Sequence, residues 1–213
     1  MRNVDSLLDV QVWGEFACFT RPELKVERVT YPMMTPSAAR GVLEAIFWKP
    51  EIAWRVREIW VLRPIRYFSV LRNEVNSRAS ARRAQEWQTQ GGGYNAAADR
   101  AQRHTLALRD VAYCILAELV LNPHATEPLA KYRAQFRRRV AQGQCFATPY
   151  FGCREFTAAF GPVQPDAIPC SDLDGDLGPM VLDIIYPPDT SGQGAPRFFP
   201  AKLEHGILRI PRA

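Results

Sequence analysis

The stretch from Thr35 to Pro50 is a helix punctuated at both ends, and it constrains the fold more than any other part of the chain. Thr35-Pro36-Ser37 sets a hydroxyl cap before a proline at the first helical position, where a missing N–H costs nothing. Ala39, Val42, Leu43, Ile46 and Phe47 recur at three- and four-residue spacing, which predicts one apolar stripe. Pro50 disfavours the helical conformation at Lys49 and ends the run. On either side the period changes to two. Leu8, Val10 and Val12 alternate with polar residues up to Trp13-Gly14, and Ile52, Trp54 and Val56 alternate with Ala53, Arg55 and Arg57 on a strand carried through Ile59 to Leu62. Strand, helix and strand in this order make a βαβ unit.

The same grammar returns later. Thr105 to Leu121 reads as one or two strands, Glu127 to Gln142 as a helix with a seam of Leu129, Tyr132 or Arg133, Phe136 and Val140, and Tyr150 to Phe156 as a strand. Between the two units the apolar pattern fails from Arg72 to His104, where RASARRAQEWQTQGGGYNAAADRAQRH reads as a long mobile insertion. The order predicts an α+β, ferredoxin-like (βαββαβ) domain over residues 1–160, interrupted by an insertion at about 72–104. From Gly161 onward, proline and glycine surround short apolar runs (Met180 to Tyr186, Gly206 to Ile210), with a hairpin turn at Glu204-His205-Gly206. Residues 161–213 therefore read as a small antiparallel β domain.

A chain of 213 residues with 47% hydrophobic composition is long enough for one good core. No apolar run reaches the roughly 18–20 residues that span a bilayer, and MRNVDSLLDV lacks the basic-then-apolar build of a signal peptide, so a cytoplasmic location is expected. Five cysteines without CxxC or Cys/His spacing predict reduced thiols and no zinc site. The net charge of +5 rests on 27 basic residues, of which 23 are arginine. That bias suits an anionic polymer, and equally a GC-rich genome. Clustering favours the polymer. The helix from Glu127 to Gln142 carries one acid against five bases, and its Arg137-Arg138-Arg139 run repels itself without interleaved acids. A solvated face is the ordinary role of such a run, but Tyr132, Trp87 and Tyr94 add rings on which bases can stack.

Phosphate-loop, serine-elbow, HExxH and paired-carboxylate signatures are all missing, which takes weight from ATP hydrolysis, serine hydrolysis and metal-assisted cleavage. Cutting RNA without metal requires a base for the 2′-OH, a cation on the phosphate and an acid for the 5′ oxygen. Lys131-Tyr132 at the start of the basic helix, His124 just before it and His104 at the mouth of the insertion are the candidates, although a lone histidine is more often structural.

Four stretches, TYPMMTPSAARGVLEAIFWKP (30–50), HTLALRDVAY (104–113), AKYRAQFRRRVAQGQ (130–144) and FGCREF (151–156), resemble the CRISPR-associated Cas5 family, d-type, of type I-C systems. The resemblance runs over nearly the whole chain. It implies a RAMP-superfamily fold, a ferredoxin-like domain followed by a small β domain. It also implies a metal-independent endoribonuclease without cofactor that cuts CRISPR repeat precursor RNA, leaving 2′,3′-cyclic phosphate and 5′-OH ends, and then stays on the guide RNA as a subunit of the interference complex. Some members also bind double-stranded DNA. The family's active site is similar to a tyrosine, lysine, histidine triad. Here Phe47 stands at the tyrosine position, Lys131 matches the lysine, and Tyr132 stands for the histidine. Three readings stay open: Lys131 depresses the Tyr132 pKa and the pair cuts, His104 or His124 supplies an imidazole, or the protein binds guide RNA and cuts poorly. RNA contacts are expected from Arg133, Arg137, Arg138, Arg139, Arg82, Arg83 and Arg103.

Overall fold

The computed structural model describes residues 7–24, 26–78, 80–186 and 194–212. The first six residues of the MRNVDSLLDV stretch lie outside them. Strand β1 (Leu8–Ala17) runs past Trp13-Gly14 and is followed by the two-residue β2 (Arg28–Val29), helix α1 (Pro36–Ile46) and β3 (Ile52–Val61). Next come β4 (Tyr67–Val75), helix α2 (Ala81–Gln90), the 22-residue β5 (Arg100–Leu121), helix α3 (Leu129–Gln142) and β6 (Ala159–Gly161). The strands β7 (Gly175–Ile185), β8 (Ala195–Glu204) and β9 (Ile207–Arg209) close the chain.

Among the described residues nine strands join one largely antiparallel sheet in the order β6-β1-β5-β3-β9-β8-β7, with β2 and β4 pairing the first half of β5. Helices α1 and α3 pack on it. Helix α1 begins as its sequence dictates, Thr35 Oγ1 accepting from the Ala38 N–H at 3.2 Å, and its stripe of Ala39, Val42, Leu43 and Ile46 is buried. It lies against β3 and β7. Helix α3 starts after Pro128, two residues later than expected, and ends at Gly143, whose left-handed conformation lets the chain turn back. Its buried seam is Tyr132, Phe136 and Val140, with Phe136 packed on Trp54 at 4.8 Å between ring centres.

Strand β3 contains a device that simple alternation hides. Its register against β5 slips between Val56 and Glu58, so the buried positions change parity from Ile52, Trp54, Val56 to Ile59, Val61. The bulge keeps both apolar sets on the core face. It also aims Arg57 at Glu118, 2.6 Å away.

Two expectations are corrected. The stretch from Arg72 to His104 is no structureless insertion: β4 and β5 pair from Tyr67↔Leu108 to Val75↔Arg100, and α2 lies beyond the end of this ribbon. Apolar period fails there because the ladder is held by backbone bonds and cross-strand charge. Glu74 pairs with Arg28 (3.1 Å) and Arg103 (3.7 Å), and Arg72 pairs with Glu155. Tyr150 to Phe156 is a turn rather than a strand, with one bridge from Tyr150 to Thr157. Gly152 sits at φ 81°, and a Cβ there would meet the Cys18 carbonyl at 2.0 Å, so the loop needs glycine twice over. The expected turn at Glu204-His205-Gly206 is present, joining β8 to β9 with φ 50° and 73° at His205 and Gly206. The described cysteines are free thiols. Among the described residues no helix is long and apolar enough to cross a membrane.

Candidate functional site

The last carbonyls of α1 have no partner within the helix, and three carbonyls at this end find one elsewhere. Ala45 O accepts from the Phe146 and Ala147 N–H groups at 2.8 and 3.0 Å, Ile46 O from Arg139 Nη1 at 2.7 Å, and Phe47 O from Trp54 Nε1 at 2.9 Å. The Arg139 cation thus lies at the negative end of the helix dipole. Its guanidinium carbon also sits over the Phe47 ring, 5.3 Å from the centre. Phe47 is completely buried, so the position of the family tyrosine is a packed ring beneath an arginine.

The next residues meet the loop that leads into α3. Pro50 O accepts from Asn122 Nδ2 at 2.7 Å and contacts His124 Nε2 at 3.0 Å. A carbonyl oxygen only accepts, so Nε2 carries the proton in this contact and Nδ1 is the nitrogen left over. Glu51, one residue on, has a buried carboxylate oxygen without a hydrogen-bond partner. It lies close enough to Tyr132 to act on its phenol. In the first turns of α3, Lys131 pairs with Glu127 at 2.7 Å, and this hydrogen bond holds the ammonium pKa above the usual lysine range.

Tyr132 is only 5% exposed. Burial, then Glu51 and Glu127, push its pKa up, and the opposing pull of Lys131 is weaker than these. Lys131 does pull the phenol down, as one of the three readings has it, but the net shift is upward: Tyr132 stays protonated at neutral pH and can donate a proton or a hydrogen bond.

Phe47 thus lies under Arg139 near the end of α3, while His124 touches Pro50 O and Lys131 and Tyr132 stand in the first turn of α3 near Glu51 and Glu127. The structure does not bring His104 to these residues. His104 lies opposite Leu71 on the β4–β5 ribbon, its N–H bonded to Glu27, and 17 residues of strand, about 55 Å of extended chain, separate it from Leu121 beside the site. The arginines divide likewise. Arg137 and Arg138 are exposed and Arg139 half-buried on α3, with Arg133 on the same helix. Arg82 and Arg83 are exposed on α2, Arg82 pairing with Glu86, and Arg103 is tied to Glu74 and Asn76 within the ribbon. Sequence reasoning did not single out Glu51 or Phe146. The signal for Phe146 was an aromatic in a polar turn just after a helix. Among the described residues no cluster of three or more His, Cys, Asp or Glu side chains is placed to hold a metal ion.

A mixed α/β protein with a curled, largely antiparallel sheet, three helices and an arginine-rich helix beside a lysine, tyrosine and histidine belongs to a recognisable structural class. A solved structure described as "Crystal Structure of CRISPR-associated Protein" shares this fold with a TM-score of 0.68 and 20% identity, over 97% of this chain and 92% of that one. A functionally uncharacterized protein from Streptococcus mutans is as similar in fold, with 18% identity. The family described as CRISPR-associated protein (Cas_Cas5), Cas5d type, matches residues 7–211, and the chain belongs to it. Two relatives carry the name CRISPR pre-crRNA endoribonuclease Cas5d. That of Thermus thermophilus is 47% identical over 96% of this chain and 91% of its own, and that of Mannheimia succiniciproducens 42% identical over 95% and 93%.

Proposed function

We propose that this protein is an endoribonuclease that cuts CRISPR repeat precursor RNA without metal and stays on the resulting guide RNA as a subunit of the interference complex. The observation that carries the reading is the match over nearly full length to two relatives so named. In the reaction the 2′ oxygen attacks the adjacent phosphorus, the bond to the 5′ oxygen breaks, and a 2′,3′-cyclic phosphate and a 5′-OH result. His124 takes the 2′-OH proton, Lys131 places positive charge on the phosphate, and Tyr132 gives its phenol proton to the departing 5′ oxygen and regains one from water. Phe47 contributes packing and no proton. The arginines Arg133, Arg137, Arg138 and Arg139 on α3, and Arg82, Arg83 and Arg103 on the arm, hold RNA phosphates.

The strand order β6-β1-β5-β3, with α1 between β1 and β3 and α3 between β5 and β6, supports reading this part as a ferredoxin-like unit. In that reading β4 and α2 form its insertion and residues 161–213 a small β domain. Repeat RNA incubated with the protein in EDTA gives one discrete cut, and Lys131→Ala slows it by about 10²- to 10³-fold. Equal cutting by that variant would remove the site assignment. A second reading, a guide-RNA-binding subunit that does not cut and that also holds double-stranded DNA, draws on the missing hydroxyl at Phe47. It predicts that a 2′-deoxy nucleotide at the junction changes nothing.

A further inference from the structure

Two aromatic side chains at the end of α1 serve no core. Trp48 is 48% exposed and Phe146 69% exposed, and their rings face each other with centres 6.4 Å apart at 41°. This exposure does not come from a loose loop. Phe146 and Ala147 both donate their N–H groups to Ala45 O, and Gln144 N–H bonds Arg139 O at 2.9 Å, so the turn carrying Phe146 is clamped to both helices. A ring held in water by two backbone hydrogen bonds, beside a second ring also held in water, is a surface kept open for contact.

Arg139 is bound to the same helix end. One of its nitrogens, Nη1, caps Ile46 O. Its other two are not among the buried unpartnered atoms, and among the described residues the side chain makes no ion pair. Arg137 and Arg138 add exposed charge on the same helix without an acidic partner among the described residues. Rings beside unneutralised guanidinium groups complement a nucleotide, which presents an apolar π-face and an anion a few ångströms apart.

We propose that Trp48, Phe146 and Arg139 form a binding site for one unpaired nucleotide of the RNA, the base stacking on the aromatic pair and its phosphate meeting the free edge of the guanidinium. This rests on the RNA-cutting reading. The site adjoins Phe47, three residues before the Pro50 carbonyl that meets His124 at 3.0 Å and four before Glu51, which acts on Tyr132, so it grips a nucleotide near the cut. Stacking reads a π-face and no base edge, so the site requires that a base be present and tolerates its identity.

The test uses repeat RNA made uncleavable by a 2′-deoxy nucleotide at the cut, with abasic replacements introduced one at a time at unpaired positions, and affinities measured at fixed salt. The double variant Trp48→Ala, Phe146→Ala binds the intact RNA about 10- to 100-fold more weakly than wild type, the loss expected for one stacked base. One abasic position weakens wild type by a similar factor and leaves the double variant unchanged, because each removes the same contact. Trp48→Phe retains most of the affinity. If the double variant misfolds, Phe146→Ala alone, which truncates an exposed ring, shows the same coupling at smaller size. Abasic losses that add fully to the variant's at every position overturn the site. A variant that binds RNA normally but no longer joins the partner subunits in co-purification makes the pair a protein contact and overturns it as well. Wild type that neither binds nor cuts repeat RNA refutes the RNA reading first, before any variant is compared, and this site with it.

Discussion

The α3 face and the β4–α2–β5 arm both present arginines, and they are founded differently. Helix α3 buries Tyr132, Phe136 and Val140 in the main core, and its Arg139 is bound to the end of α1. Helix α2 buries nothing; Trp87 and Tyr94 stack on each other at 6.4 Å and the tip otherwise meets water. Positioning to within a fraction of an ångström, which phosphoryl chemistry demands, is available only where side chains are locked by packing. The arm supplies charge without that precision. Under the proposed function, chemistry therefore belongs to α3 and capture to the arm.

The largest effect should appear where the comparison is sharpest. Lys131→Ala lowers the cleavage rate of bound RNA by about 10²- to 10³-fold while shifting affinity only a few-fold, whereas Arg82→Ala with Arg83→Ala leaves that rate unchanged. Single-turnover kinetics at saturating protein separates the two, and a rate loss from the arm variant would break the division. The pH profile sharpens it further. Because Tyr132 is held above the usual phenol range by burial, it stays protonated and imposes no loss of activity through neutral pH. His124→Ala removes the base and lowers the single-turnover rate by about 10²-fold.

Stability divides the two regions as well. Phe136→Ala, which empties a fully packed position under Trp54, costs about 3–5 kcal/mol, while Trp87→Ala on the arm costs under about 1 kcal/mol; denaturant unfolding measures both. In binding, the arm variant removes two cations, so the slope of log affinity against log salt falls by about 1.4. A comparably small effect lies in the sheet beneath both regions. Arg57 hydrogen-bonds Glu118 and lowers its pKa. A carboxylate whose folded pKa is depressed stabilises above its unfolded value near 4.3, and that contribution is lost as pH falls through the folded value. Glu118→Gln therefore costs about 1 kcal/mol at pH 7, and the gap to wild type closes in acid.

What the sequence disclosed follows the same boundary. Helix α1 was legible because its punctuation and apolar stripe agree, and α3 because Phe136 and Val140 mark one face. The arm was not, because a ribbon held by Glu74, Arg28 and Arg103 leaves no apolar period to read. The parity change in β3 was hidden because a bulge at Arg57 looks like ordinary alternation until its partner strand is known. In the site, Lys131 and Tyr132 could be placed at a helix start. The company of His124 and the remoteness of His104 depend on a strand of 22 residues, whose length alternation did not reveal.

The last pair of the β4–β5 ladder, Val75 opposite Arg100, has a consequence for how such chains diversify. Everything from residue 76 to residue 99 leaves and re-enters the fold at two adjacent backbone positions, so a two-residue turn can replace it and another tip can be grafted in its place without disturbing the register behind. The arm is an interchangeable cassette on a fixed mount.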